Sequence, residues 1–307
     1  MTDNCNVSIF RIKDDLYATA DTCFFREIDA NNLTCGDKYD TSKLFGLNMW
    51  SAHPLHDEAD GCIYNIGTSF LTGLKYNLIK ISASTGKSQT AFKQGKIVCS
   101  IPSRSSTSAS ICHSFGMTKN YIVFIEQPAV IVGQRVLGSV IHKSCNKDYL
   151  DWRPEMKNRF HLIEKKSGTV VKTEFVSADP FFCLHFINCH ESKDENEVIV
   201  DLIGFPNMNC VHISLEDCRH GNEGPPEDLA TAFRFVIPLQ DPSEVADGSN
   251  FVKMQNTVAT AVRNKKQVIL APEALTQPGI EVPRVHPHFE SKEYTVFYGG
   301  MYANKLK

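Results

Sequence analysis

Residues 181–191 read FFCLHFINCHE and place His185 after four largely apolar residues and before a short aromatic and β-branched run. This pattern predicts a buried strand that carries an imidazole ring. Burying the ring without a partner costs roughly a few kcal/mol, so His185 should either be hydrogen-bonded in the core or place a nitrogen on a metal ion. Taken alone, the segment favours a hydrogen-bonded core histidine.

Two further histidines lie in a similar setting and favour the metal site. His53 belongs to NMWSAHP at residues 48–54, and His113 belongs to SICHSFG at residues 110–116. Each stands at a predicted loop-to-strand edge, followed by small or polar residues and an apolar strand. The three histidines are 60 and 72 residues apart, too far for a zinc-finger knuckle or a helical HExxH pair. Such gaps suit a radial β architecture, in which successive sheets each send one side chain to a common axis.

A family resemblance becomes specific at these residues. The segments around the three histidines are similar to those of the carotenoid cleavage oxygenase family, which includes carotene-cleaving oxygenases and the retinal pigment epithelium isomerohydrolase. The same family is matched at residues 255–261, 280–284 and 298–299. The resemblance implies an all-β, seven-bladed β-propeller whose axis holds a ferrous ion on four histidines, with no carboxylate ligand. His53, His113 and His185 fall on the first three ligand positions, so the family pattern implies one Fe(2+) per chain.

Two carboxylates match the family positions that orient these ligands. In the family, glutamates hydrogen-bond the outer nitrogens of the iron-binding imidazoles and so fix their tautomer. Glu281 falls on the position expected to orient His185, and Asp21 falls where a glutamate usually orients His113. Because aspartate is shorter by one methylene, Asp21 must approach more closely or act through a water molecule. Without the resemblance, Asp21 would be assigned to a turn and Glu281 to the solvated surface.

The resemblance also implies that family segments are missing at both ends. In the family, the fourth ligand lies well past the Tyr298-Gly299 element, whereas this sequence ends at Lys307 and has no histidine after His288. His286 and His288 lie in a Pro-containing loop that does not match the last ligand motif. The first residues resemble an internal family segment. Residues 1–307 are therefore expected to form a single, partial propeller domain, incomplete at both ends, from the middle of a longer protein.

Composition limits the other function classes. At 307 residues and 42% hydrophobic, the chain is long enough to bury a sizeable core. Its net charge of −3 argues against a nucleic-acid partner, which would usually require clustered basic residues. Eleven cysteines without a CxxC pair indicate reduced thiols. With no apolar run of transmembrane length, these features predict a cytoplasmic protein, and peripheral contact with a membrane stays open.

Short strands recur along the chain and predict all-β structure. Residues 7–12 and 16–20 should form a hairpin around a polar turn, and residues 76–81 and 96–99 should form further strands. His161 alternates with apolar neighbours in this pattern, so it is expected on an exposed strand face and not as a ligand.

The resemblance implies an enzyme that uses iron and dioxygen on an apolar polyene. In the family, dioxygen adds across one double bond of a carotenoid and yields two aldehydes, such as retinal or other apocarotenals. Imidazole ligands suit ferrous iron, and open coordination positions leave room for dioxygen. Two alternatives stay open: a retinoid isomerohydrolase on the same iron site, and an inactive protein that binds a carotenoid or retinoid. The sequence leaves the oligomeric state undetermined.

Overall fold

The computed structural model describes residues 3–70, 73–83, 88–136, 149–212, 215–220 and 229–301. Their contacts divide the chain into two compact units, residues 1–114 and residues 115–307. Within the described ranges, no helix is both long enough and apolar enough to cross a bilayer.

The first unit is built from antiparallel strands and two short helices. Strands β1 to β4 pair in sequence order as one sheet, and a second sheet has the order β5-β7-β8-β9 with β6 also paired to β7. The strands are β1 (Ser8–Ile12), β2 (Asp15–Thr19), β3 (Phe24–Ile28), β4 (Cys35–Asp40), β5 (Met49–Trp50), β6 (Leu55–Asp57), β7 (Cys62–Ser69), β8 (Lys75–Ser82), β9 (Lys96–Pro102) and β10 (Ser108–Ser110). The helices are α1 (Thr41–Phe45) and α2 (Ser88–Gln94).

An aromatic core fixes the chain just before His53. Trp50 is buried and stacks on Phe25, with ring centroids 4.8 Å apart, and Phe25 in turn packs against Phe92 at 4.7 Å. The Trp50 indole N–H donates to the hydroxyl of Thr19 at 3.1 Å, so its one polar atom is satisfied. Since Trp50 lies three residues before His53, core packing determines where the His53 loop leaves the sheet.

The second unit contains a six-stranded sheet, a four-stranded sheet and smaller pieces. The larger has the order β11-β12-β15-β16-β21-β20, and the other has the order β17-β18-β19-β22. The strands are β11 (Gly116–Met117), β12 (Tyr121–Glu126), β13 (Ala129–Val132), β14 (Leu150–Trp152), β15 (Arg159–Glu164), β16 (Glu174–Ser177), β17 (Phe182–Glu191), β18 (Glu197–Phe205), β19 (Thr231–Pro238), β20 (Thr260–Asn264), β21 (Gln267–Ala271), β22 (Glu273–Ala274), β23 (Ile280–Arg284) and β24 (Tyr298–Met301). One more helix is α3 (Leu215–His220), and β23 pairs with β24 as a separate two-stranded sheet.

The core of the second unit lies between these two larger sheets. Val123, Phe160, Val200, Phe235 and Val268 are members of one buried cluster to which strands of both sheets contribute. Burying a side chain of this size stabilises the folded state by roughly 1.5–3 kcal/mol. Strand β17, which carries His185, therefore packs on a well-formed hydrophobic core.

Most strand predictions are confirmed, and the one for His161 is wrong. The predicted hairpin is β1 and β2, and the other two predicted strands are β8 and β9. His161 is 6% exposed and stacks on Phe124, and its Nε2 lies 3.5 Å from Glu126 Oε2. The alternating pattern misled because β15 is an interior strand whose residues 160–163 are all buried. A strand covered on both faces has no solvent side for its polar residues.

Candidate metal centre

Two of the three predicted ligands face each other in the first unit. His53 Nε2 lies 3.1 Å from His113 Nε2, and the two ring centroids are 4.7 Å apart. Both imidazoles thus direct the same ring nitrogen to a common point. Imidazole nitrogens converging in this way, without a carboxylate between them, form a donor pair suited to a first-row transition metal.

Ser51 ties the two histidine segments together. It is fully buried, and its hydroxyl donates to the backbone carbonyl of His113 at 2.5 Å while accepting from the backbone N–H of His53 at 3.1 Å. One side chain therefore sets the distance between backbones that are 60 residues apart in sequence. The sequence offers no signal for this role beyond the position of Ser51 two residues before His53.

Asp21 holds the outer nitrogen of His113 directly. Asp21 Oδ2 lies 2.5 Å from His113 Nδ1, and Asp21 Oδ1 accepts from the backbone N–H of Ala52 at 2.9 Å. Of the two alternatives for this shorter carboxylate, the structure therefore has the closer approach and not a bridging water. A carboxylate on Nδ1 favours the tautomer with the proton there, which leaves the lone pair on Nε2 for a metal.

The neighbouring thiol of Cys112 donates to the backbone carbonyl of Ser114 at 3.8 Å. Burial, assisted by the Asp21 carboxylate, raises the pKa of the Cys112 thiol well above its usual range. The metal-free thiol is therefore protonated at neutral pH, as its bond to the Ser114 carbonyl requires.

The third predicted ligand lies in the second unit with its own carboxylate. His185 is on β17, whose pairing with β18 shifts register between Cys183 and Phe186 and again between Phe186 and Asn188. Such irregularities bend a strand and turn a side chain out of the ladder. The His185 Nδ1 atom lies 2.8 Å from Glu281 Oε2, so this ring too has its outer nitrogen on a carboxylate.

Glu281 occupies a strained stretch of β23. The next residue, Val282, has φ of 48°, a left-handed conformation that is unusual for a β-branched side chain, and its N–H donates to the Glu281 carboxylate. Among the described residues, the other carboxylate oxygen, Oε1, is buried and has no hydrogen-bond partner. Strain of this kind persists only where the surroundings determine the backbone strongly, and it often accompanies functional sites.

An apolar cavity of about 240 Å³ adjoins Glu281 in the second unit. It is lined by Phe205, Leu229, Ala230, Gly279, Ile280, Glu281, Val282, Gly300 and Met301. Apart from the Glu281 carboxylate, the wall consists of apolar side chains and glycines. A cavity of this character binds apolar groups, and its volume suits a part of a long molecule.

The structure thus assembles the predicted residues as two groups, one in each unit. Asp21, His53 and His113 form the group of the first unit, and His185 and Glu281 form the group of the second. His286 and His288 are exposed on the connection between β23 and β24, where His286 accepts from the backbone N–H of His288. The role of Ser51 was missed in the sequence, because it depends on a contact between distant segments.

Comparisons with known proteins agree on the family and the fold. The sequence profile of the family described as "Retinal pigment epithelial membrane protein" matches residues 1–307. The human mitochondrial carotenoid-cleaving dioxygenase is 34% identical over 314 residues, covering 97% of this chain and 54% of its own length. The chicken beta,beta-carotene 15,15'-dioxygenase is 37% identical over 309 residues, covering 97% of this chain and 57% of its own.

Solved structures match the backbone at lower identity. The lignostilbene dioxygenase of Pseudomonas brassicacearum superimposes with a TM-score of 0.68 at 16% identity, covering 97% of this chain and 53% of that protein. A variant of the Synechocystis apocarotenoid oxygenase gives 0.65 at 17% identity, covering 98% and 54%. The chain therefore shares the fold of these oxygenases, and it spans about half the length of the relatives it matches.

Proposed function

The chain belongs to the retinal pigment epithelial membrane protein family, and on that premise we propose that it carries iron-binding residues of a dioxygenase that cleaves a carotenoid double bond. The observation that carries the proposal is the same at both groups of residues. An imidazole has its outer nitrogen on a carboxylate, at 2.5 Å for Asp21 and His113 and at 2.8 Å for Glu281 and His185. This pairing favours the tautomer that has the proton on Nδ1 and the lone pair on Nε2, the arrangement that a metal ligand requires.

His53, His113 and His185 bind a single ferrous ion in this proposal. The donor set fits, since neutral imidazoles suit iron in its divalent state and leave coordination positions for other molecules. When bound, the ion supplies the activation of dioxygen. The protein's own part is to orient the rings of His113 and His185 through Asp21 and Glu281.

The proposed substrate is an apolar carotenoid. Two relatives are named as a carotenoid-cleaving and a beta-carotene dioxygenase, and the cavity beside Glu281 has the apolar lining that a polyene needs. Dioxygen supplies both oxygen atoms as one carbon–carbon double bond becomes two carbonyl groups. The products are two aldehydes, such as apocarotenals or retinal.

The finer fold prediction and the setting of the enzyme are part of the same proposal. In this proposal the sheets are blades of a seven-bladed propeller, and each histidine points to its axis. Because the chain spans about half the length of its relatives, the catalytic activity belongs to a protein that includes these residues. Its proposed location is the cytoplasm, with peripheral contact to membranes from which an apolar substrate is extracted.

Cleavage of β-carotene under isotopically labelled dioxygen tests the activity. The protein, loaded with ferrous ion, should yield aldehydes that each carry one labelled oxygen, and His185→Ala should yield none. Conversion of a retinoid ester to an isomerised alcohol would instead identify the isomerohydrolase alternative. Retention of carotenoid without any conversion, in protein that contains iron, would contradict the proposed activity and leave a binding protein.

A further inference from the structure

The strand that carries Glu281 has little support from its own sheet. Among the described strands, β23 pairs only with β24, and their register shifts between Glu281 and Arg284. Isolated two-stranded sheets are marginally stable in water. The start of β23 is held by the backbone of Ala230, which accepts from Gly279 at 2.7 Å. Contacts outside this sheet must hold the Arg284 end of β23 if the Glu281 carboxylate is to stay on His185 Nδ1.

The connection between β23 and β24, residues 285–297, is hydrogen-bonded to β17 through the amide side chain of Asn188. Asn188 donates from Nδ2 to the carbonyls of Phe289 and Lys292 at 2.9 and 3.0 Å, and its Oδ1 accepts from the N–H of Ser291 at 2.9 Å. Asn188 is 7% exposed, so these three bonds are shielded from water. An asparagine that uses both donors and its acceptor on one segment specifies the path of that segment.

A second anchor holds the same connection to β18 and β19. The Tyr294 hydroxyl donates to Asp201 Oδ2 at 2.6 Å. Arg234 donates to the same carboxylate from Nε and Nη2, at 2.8 and 2.7 Å. Asp201 is fully buried, and burial together with this carboxylate raises the pKa of Tyr294, so the phenol keeps the proton that it donates. Bidentate pairing with arginine fixes the direction in which the carboxylate accepts this bond.

Glu281 and the β23–β24 connection contact β17 at successive positions along that strand. Glu281 meets β17 at His185, the connection meets it at Asn188, and the Tyr294 ring lies edge-on to His190, with centroids 6.2 Å apart. The hydroxyl of Ser291 adds a bond to the carbonyl of Met117 at 2.9 Å. The segment from residue 281 to residue 294 is therefore fastened beside β17 at successive points.

We propose that Asn188 and Tyr294 are positioning residues of the candidate metal centre, which fix the β23–β24 connection so that Glu281 stays on the outer nitrogen of His185. The proposal rests on the proposed function, since it assumes that His185 binds the metal. It adds that the affinity for the metal depends on a hydroxyl and an amide that touch neither the metal nor the substrate. Loss of a group that orients a metal-binding histidine typically lowers the affinity for the metal about 10- to 100-fold.

Tyr294→Phe tests this with a minimal change, because it removes one hydroxyl and leaves the Arg234–Asp201 pair in place. The matched control is Tyr298→Phe, which makes the same change at a residue of β24 that is 70% exposed. Anaerobic titration with ferrous ion measures affinity, and nitrogen NMR of the metal-free protein reads the tautomer of His185. We expect about 10-fold weaker iron binding and a mixed His185 tautomer for Tyr294→Phe, and neither change for the control.

A double-mutant cycle with Glu281→Gln separates positioning from general stability. If Tyr294 acts through Glu281, adding Tyr294→Phe to Glu281→Gln weakens iron binding no further. Fully additive losses, or wild-type affinity in Tyr294→Phe, would overturn the proposal. Asn188→Ala, which removes the bonds to Phe289, Ser291 and Lys292, provides a second perturbation of the connection should Tyr294→Phe fail to fold. Wild-type affinity and tautomer in that variant would likewise overturn the proposal.

Failure of the proposed function gives a different result. If wild type and His185→Ala bind iron equally, His185 is not a ligand and the proposed function fails. The His185 tautomer in the metal-free protein still reports on positioning in that case. A tautomer that stays unchanged in Tyr294→Phe would then overturn the positioning role independently of any metal.

Discussion

Replacing Asp21 with asparagine should impair the metal site while leaving the fold intact. Asp21 uses its two oxygens differently, with Oδ1 on the N–H of Ala52 at 2.9 Å and Oδ2 on His113 Nδ1 at 2.5 Å. Asparagine retains one oxygen for Ala52, but its amide N–H group would face the ring nitrogen. An amide donor there requires a lone pair on Nδ1, which moves the imidazole proton to Nε2. That is the nitrogen facing His53 at 3.1 Å, so the donor pair is lost.

The expected loss follows from comparable changes at other metal sites. Removing a carboxylate that orients a metal-binding histidine typically weakens binding 10- to 100-fold, which corresponds to about 1.4–2.7 kcal/mol. Anaerobic titration with ferrous ion, followed in the metal-free protein by NMR of the His113 nitrogens, measures both the affinity and the tautomer.

Asp40→Asn is the matched control for this change. Asp40 caps α1 by accepting from the N–H of Ser42 at 2.9 Å, and asparagine caps helices equally well. The control should therefore keep wild-type iron affinity. Wild-type affinity in Asp21→Asn, with Nε2 of His113 still unprotonated, would refute the argument that this carboxylate sets the tautomer.

Three further outcomes are expected. Glu281→Gln should lower the affinity for ferrous ion about 10- to 100-fold in the same titration, because it removes the carboxylate that lies 2.8 Å from His185 Nδ1. Wild-type affinity in this variant would contradict the prediction. Gly116→Ala should lower the free energy of unfolding by about 1–3 kcal/mol in urea denaturation, because a Cβ would overlap Cys189 Sγ; an unchanged midpoint would contradict it. Burial lowers the pKa of His190, so the unfolded chain binds its proton more readily, and stability should fall as pH drops below about 6.5. His190→Asn should flatten that slope, and an unchanged slope would rule out this origin.

The family and the β class could be predicted from the sequence, because the evidence lies in local patterns. The histidine segments and IEVPR at residues 280–284 carried a resemblance that the family match confirms. The hairpin of β1 and β2 followed from two apolar runs around a polar turn. Such signals use residues that are neighbours in the chain, so they survive without knowledge of tertiary contacts.

The features that could not be predicted from the sequence depend on tertiary contacts between distant segments. The burial of His161 follows from its strand being interior to a sheet, which alternation alone does not reveal. Ser51 acts on a residue 62 positions away, and Asn188 acts on carbonyls more than 100 positions away. Polar residues of these types are common on surfaces, so nothing in their local sequence separates an anchor from a solvated side chain.

The amount of ferrous ion bound per folded chain tests the proposed iron site. About one ion per chain is expected after anaerobic reconstitution, because His53, His113 and His185 are proposed to bind a single ferrous ion. His53→Ala, His113→Ala and His185→Ala should each abolish stoichiometric binding, and His161→Ala should not. If wild type binds no specific iron while folded, or if any of the three variants retains a full equivalent, the proposed iron site is contradicted.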